Sequence, residues 1–164
     1  VIQEKSPIEI RQANDPDVPR LRRLFNEYAS ELRLDLSFQR FDEELERLPG
    51  DYAPPRGELL LAVEENLAAG CVAMRPLGAR ICEMKRLYVR PSYRGKGIGK
   101  KLIEAIIAAA READYSIMRL DTLSSMKAAR SLYRAFGFKP IQAYYHNPLE
   151  GAEYMELDFR KPDP

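Results

Sequence analysis

Apolar positions along the chain change spacing several times, and each change marks an element. Val18, Leu21, Phe25, Tyr28 and Leu32 alternate steps of three and four, the stripe of an amphipathic helix. Asn14-Asp15-Pro16-Asp17 supplies its start, with Asp as cap and Pro in the first turn. Before it, Ile8 to Arg11 reads as a short strand. Ser37 offers a cap for a second helix bearing Phe38, Phe41, Leu45 and Leu48, which Pro49-Gly50 ends. After the proline-bearing loop Asp51 to Gly57, three strands follow: Glu58 to Glu64, Leu67 to Arg75 and Ala79 to Arg90. Their connections are too short for crossovers, so they form an antiparallel meander. Helical spacing returns at Ile98, Leu102, Ala105, Ile106, Ala109 and Ala113. Ser116 to Thr122 is then a strand parallel to Ala79 to Arg90, because a helix crosses between them. Met126, Ala129, Tyr133 and Phe136 line a last helix, with Gly137 as its stop. Phe138 to Tyr145 and Glu153 to Phe159 close the chain as a hairpin around Asn147 to Gly151, with Met155, Leu157 and Phe159 on its buried face.

The predicted order is β-α-α-β-β-β-α-β-α-β-β. It describes an α/β (α+β) protein whose mixed, mostly antiparallel sheet of about seven strands is flanked by four helices. No repeat, low-complexity segment or domain boundary interrupts it, so the expectation is one domain over 1–164.

Composition narrows the function by exclusion. A net charge of +1 argues against nucleic acid or an anionic membrane as the main partner. No apolar run reaches the length of a membrane span and no signal-peptide pattern opens the chain, so a cytoplasmic location is expected. The first residue is Val1 rather than Met, as a processed or truncated start would leave it. Cys71 and Cys82 lie in apolar strand sequence and read as buried free thiols, and His146 is the only histidine, so no metal site is expected.

The chemistry concentrates between Ile81 and Ala113. Strand and helix there are separated by Arg94-Gly95-Lys96-Gly97-Ile98-Gly99-Lys100-Lys101. The first turn of a helix exposes unpaired N–H groups and carries about half a positive charge. Four cations at that end (Arg94, Lys96, Lys100 and Lys101) are unfavourable unless an anion joins them. Glycines clear the approach to the amides. A phosphate-bearing ligand is expected, against the blander alternative of a solvated lysine cluster. A P-loop is excluded because Leu102, not Ser or Thr, follows the lysines. A dinucleotide fingerprint fails on glycine spacing and on its place in the chain.

Arg94 to Gly99 matches [QR]-x-x-G-x-[GA], with LYVRPSYRGKGIGKKLIEA around it and LYRAFGF (Leu132 to Phe138) following. On these residues the chain resembles the GNAT N-acetyltransferase superfamily over Leu59 to Phe159. The resemblance implies an acetyl-CoA-dependent transfer to a primary amine of a small molecule or peptide. Arg94, Gly95, Lys96, Gly97, Ile98, Gly99 and Lys100 would hold the CoA pyrophosphate, and Leu87, Tyr88 and Val89 would pair with the pantetheine arm like an added strand. Direct transfer in a ternary complex is implied, since no motif places a cysteine to carry the acyl group. Homodimers are common in the family, though no segment here requires one.

An alkyl amine with pKa near ~10 is only about 0.1% neutral at pH 7, a penalty of roughly 4 kcal/mol that a general base partly offsets. Glu83, where some relatives carry a catalytic glutamate, is the candidate base; the alternative is a structural ion pair with Lys85, Arg86 or another basic group. Regular alternation would put Glu83 and Lys85 on the face of Leu87 and Val89, so a β-bulge near Met84 to Arg86 is expected. By the resemblance Tyr133 is the candidate acid at the CoA sulfur, although its helix face is also the packed one. Met126 stands where many relatives have asparagine, with Ser124 and Ser125 nearby. The acceptor site is expected among the first two helices, their loop (Leu34 to Phe38) and the last hairpin. Tyr144, Tyr145, His146 and Asn147 are candidate lining residues there, and Lys85 or Arg86 could bind a carboxylate. The runner-up is a non-catalytic acyl-CoA-binding or sensor domain; a nucleotide-binding module is disfavoured by the missing hydroxyl.

Overall fold

The computed structural model describes residues 6–160; the ends of the expected 1–164 domain lie outside the described residues. The chain runs β1 (Glu9–Gln12), α1 (Val18–Glu31), α2 (Phe41–Arg47), β2 (Glu58–Glu64), β3 (Leu67–Pro76), β4 (Ile81–Val89), α3 (Ile98–Glu112), β5 (Ile117–Leu123), α4 (Lys127–Ala135), β6 (Lys139–Ile141) and β7 (Ala152–Asp158). The strands form one sheet in the order β1-β2-β3-β4-β5-β7-β6, antiparallel except for β4 beside β5. The crossover through α3 is the reason for that parallel pair.

Each face of the sheet buries its own core. Leu102, Ile103 and Ile106 of α3 pack with Met74, Met84, Met118, Leu120 and Tyr133 on one side. Leu21, Leu24 and Phe25 of α1 pack with Phe41, Leu61, Cys71 and Tyr88 on the other. Burial of two opposite faces explains why β2 and β3 read as nearly continuous apolar runs rather than as alternating ones.

Two details position the site. The expected bulge is present in β4: Cys71 pairs with Tyr88 but Ala73 with Lys85, which leaves one extra β4 residue between them. Arg86 takes it up at φ 59°. Before the bulge Cys82 and Met84 face α3 and Glu83 and Lys85 face away; after it, Leu87 and Val89 face α3 and Tyr88 faces α1. Gly70 admits the closely passing β4 backbone, because a Cβ there would meet the Tyr88 carbonyl oxygen at 2.4 Å. Second, the β4–β5 ladder ends at Glu83↔Arg119. Beyond it the two strands part.

Two predicted elements are shorter than their patterns. Ser37 does not cap the second helix; its N–H donates to Asp35 Oδ1 and residues 37–39 form a 3-10 turn. Arg40, at φ 54°, then breaks the path into α2. The last hairpin pairs only Lys139 to Ile141, after which the chain leaves the sheet and folds back to its face. Pro140 is tolerated because β6 is the edge strand.

Candidate active site

The glycine-rich loop enters α3 through Gly97, whose φ of 76° is left-handed and free of strain only for glycine. Lys101 is the first residue of the helix to donate back, to the Gly97 carbonyl. The amides of Ile98, Gly99 and Lys100 therefore lie ahead of the helical ladder. Beside them runs a groove of about 340 Å³, floored by Leu87 and Val89 of β4 and walled by Ala128, Ala129 and Leu132 of α4. Gly95, Gly97, Gly99 and Lys100 line its end. Lys100 and Lys101 have no carboxylate partner among the described residues, and Lys96 lies over the Tyr93 ring at 5.2 Å. Arg94 is held differently: it pairs with Glu31 of α1 at 2.5 Å and donates to the Val89 carbonyl.

These features fit a pyrophosphate and its pantetheine arm. Among the described residues the amides of Ile98, Gly99 and Lys100 have no acceptor outside the helix, lysines stand beside them, and β4 beyond Glu83 has no β5 partner. Met126 lines the groove in place of a polar residue, and neither serine replaces it there. The Ser124 N–H bonds the Gly151 carbonyl, and its side chain lies beneath that glycine.

At its inner end the groove meets a narrower cleft; Tyr28, Leu87 and Met126 border both. The cleft occupies the gap between the parted strands, with Lys85 and Arg86 on one side and Asp121 and Thr122 on the other. Leu36, Gln39, Tyr133, Asn147 and Leu149 complete it. Tyr133 is buried against Phe138, ring centroids 5.8 Å apart, and its hydroxyl makes no protein hydrogen bond among the described residues. Burial pushes that phenol up, so it stays protonated.

Glu83 lies beneath the cleft wall rather than on it. Only 1% exposed, it takes Arg75 Nε at 2.9 Å on Oε1 and the Tyr144 hydroxyl at 2.5 Å on Oε2. Lys85 Nζ is 3.7 Å from Oε1. Arg86 turns to Glu44 of α2 through two bonds of 2.9 and 3.1 Å and stacks on Phe41. Tyr145 donates its hydroxyl to Asp121 Oδ2, and Asn147 Nδ2 reaches the same oxygen at 2.8 Å. Tyr154 Oη fixes this loop by donating to the Tyr145 carbonyl and accepting from the Asn147 N–H. Burial, with Glu83 and Asp121 adding to it, raises Tyr144 and Tyr145, which keeps both as donors. His146 is exposed and does not line the cleft; it borders an open depression beside it, with Tyr144, Tyr145 and Asn147.

The structure thus gathers Lys85, Tyr133, Tyr144, Tyr145 and Asn147 near one place and leaves His146 apart. Sequence reasoning missed Asp121, Gln39, Arg75 and Glu44. A signal existed for Asp121: Arg119 and Asp121 share the non-core face of β5, beside Glu83 and Lys85 of the neighbouring strand. Four charges on adjacent inner strands mark a site rather than a surface.

Splayed parallel strands, an amide-lined helix start and the groove between them define the class: this is the GNAT acetyltransferase fold. Residues 18–138 match the model of the Acetyltransferase (GNAT) family, and the chain belongs to that family. An uncharacterized N-acetyltransferase of Schizosaccharomyces pombe is 44% identical over 147 residues, spanning 88% of this chain and 90% of that protein. A GNAT-family acetyltransferase from Staphylococcus aureus superposes with a TM-score of 0.78 at 20% identity, over 93% of this chain and 99% of that one. PaiA N-acetyltransferase from Thermoplasma acidophilum, solved in complex with coenzyme A, gives 0.72 at 20% identity over 93% and 99%.

Proposed function

We propose that this protein, acting as one domain, transfers the acetyl group of acetyl-CoA directly to a primary amine. The observation that carries this reading is the continuity of two spaces: an amide- and lysine-ended groove opens, at Tyr28, Leu87 and Met126, into a charged cleft. Capture of PaiA with coenzyme A supports the choice of ligand.

Bound acetyl-CoA supplies an activated thioester carbonyl. The chain's own residues then have three tasks. Arg94 and the amides of Gly95 to Lys100 bind the pyrophosphate, while Leu87, Tyr88 and Val89 offer main-chain partners to the pantetheine arm. The cleft holds the amine and takes its proton. Glu83 reaches the amine only through Tyr144 or a water, so its part is that of a proton acceptor one step removed. Tyr133 holds a proton at its hydroxyl and gives it to the thiolate as the carbon–sulfur bond breaks and the carbon–nitrogen bond forms. The proton taken from the amine returns through solvent to the Tyr133 oxygen, so the amide product and the free CoA thiol account for every atom.

Acetyl-CoA at a hundred times its Kd adds about 2.7 kcal/mol of stability, whereas ATP adds little. Thermal shift measures this directly. Equal stabilisation by ATP would turn the reading toward a nucleotide-binding module. Binding without CoA release across a panel of amines would leave the sensor alternative.

A further inference from the structure

Charges on the inner face of the cleft are unequally used. Of the two cations that line it, Arg86 is taken by Glu44 at hydrogen-bond distance, and Arg75 behind the wall is taken by Glu83. Lys85 is not. Its side chain is 2% exposed, yet its nearest carboxylate oxygens are Glu83 Oε1 at 3.7 Å and Asp121 Oδ1 at 3.9 Å. Among the described residues its three N–H donors make no hydrogen bond, and it lines the cleft. Across the gap, Asp121 places both protein donors on Oδ2 and leaves Oδ1 without a bond. Gln39, whose Nε2 donates to the Tyr145 hydroxyl, keeps Oε1 buried and unpartnered in the same wall.

We propose that this cleft is a clamp for a zwitterion: Lys85 takes the carboxylate of a compact amino acid, and Asp121 with Gln39 takes the amine that is acetylated. The inference rests on the acetyltransfer reading above and specifies its acceptor. A simple amine would satisfy the two oxygens and leave the buried ammonium without a hydrogen bond, its carboxylate neighbours being 3.7 and 3.9 Å away. A carboxylate alone would do the reverse. Only a molecule carrying both charges answers all three groups, and Lys85 Nζ stands 3.9 Å from Asp121 Oδ1, so those charges must lie only a few atoms apart. Arg86, which the sequence offered as an equal candidate for the carboxylate, is excluded from first place by its double bond to Glu44.

The test compares acceptors on the unmutated protein at saturating acetyl-CoA, with CoA thiol release as the readout. Glycine, L-alanine, L-serine and β-alanine are each set against their carboxamides and their decarboxylated amines. For at least one amino acid, kcat/KM is expected to exceed that of both analogues by about a hundredfold, the worth of a hydrogen-bonded charge. K85M should then reduce that preference to a few-fold, chiefly through KM, with K85Q as the second variant if K85M does not fold. Amides or plain amines turned over as well as the amino acids would overturn the clamp while leaving acetyltransfer standing. So would a preference that neither Lys85 variant moves. If acetyl-CoA itself neither binds by titration nor is consumed, the acetyltransfer reading falls, and the clamp with it.

Discussion

Tyr133 and Asp17 show how single groups are set by what surrounds them. Burial pushes the Tyr133 phenol above its ordinary value near 10, so the proton it would donate is lost only at still higher pH. Replacing it in Tyr133→Phe should lower kcat by about 10²-fold and flatten the alkaline limb of the kcat profile. An unchanged profile would remove Tyr133 from the chemistry. Asp17, nearly buried before α1, accepts from Arg11 at 2.7 and 2.9 Å and from the Asn14 N–H. The Arg11 bonds hold its carboxyl below the usual range against opposing desolvation. The unfolded chain therefore binds more protons than the folded one in this window. The pair's contribution is complete above about pH 4 and disappears as pH falls through the lowered folded value. Asp17→Ala should cost about 1–3 kcal/mol at neutral pH, read by urea unfolding, with the difference from the parent shrinking toward pH 2. An equal difference at both pH values would refute the linkage.

Elements were legible where one periodicity governed them. The start of α3, the meander and β5 follow from apolar spacing, and the β4 bulge follows from two charges at the wrong parity. The hairpin was overextended because Tyr144 and Tyr145 look like strand residues. Their hydroxyls instead find Glu83 and Asp121, partners 61 and 24 positions away that no local pattern could announce. Asp121 was legible only through the predicted pairing of β4 with β5, which sets it and Arg119 beside Glu83 and Lys85. The loop before α3 was readable because its glycines and lysines are contiguous. Gly97→Ala tests that reading at its own scale. No atom lies within 4 Å of the added Cβ, so the penalty is backbone strain, about 1–2 kcal/mol. Relief of that strain should move the amides and weaken acetyl-CoA binding, measured by titration; an unaltered Kd would show that they do not hold the ligand.

Across the molecule, the site depends on what the sheet leaves undone. Three residue pairs join β4 to β5, and past them both strands turn their polar groups toward a gap that α1, α4 and the loop before β7 enclose. Glu27 and Glu31 of α1 hold Arg90 and Arg94 at the loop's start, so one helix borders the groove and restrains the loop that ends it. Cys71 and Cys82 remain unpaired in the cores on either face, and burial pushes Cys82 up to about 12, far from reactive thiolate. An interrupted ladder has a further consequence. Main-chain groups facing the gap should trade hydrogen with solvent readily in the empty protein and slowly once a ligand bridges the strands, so that the small molecule serves as the missing rung through which the two halves of the sheet stiffen together.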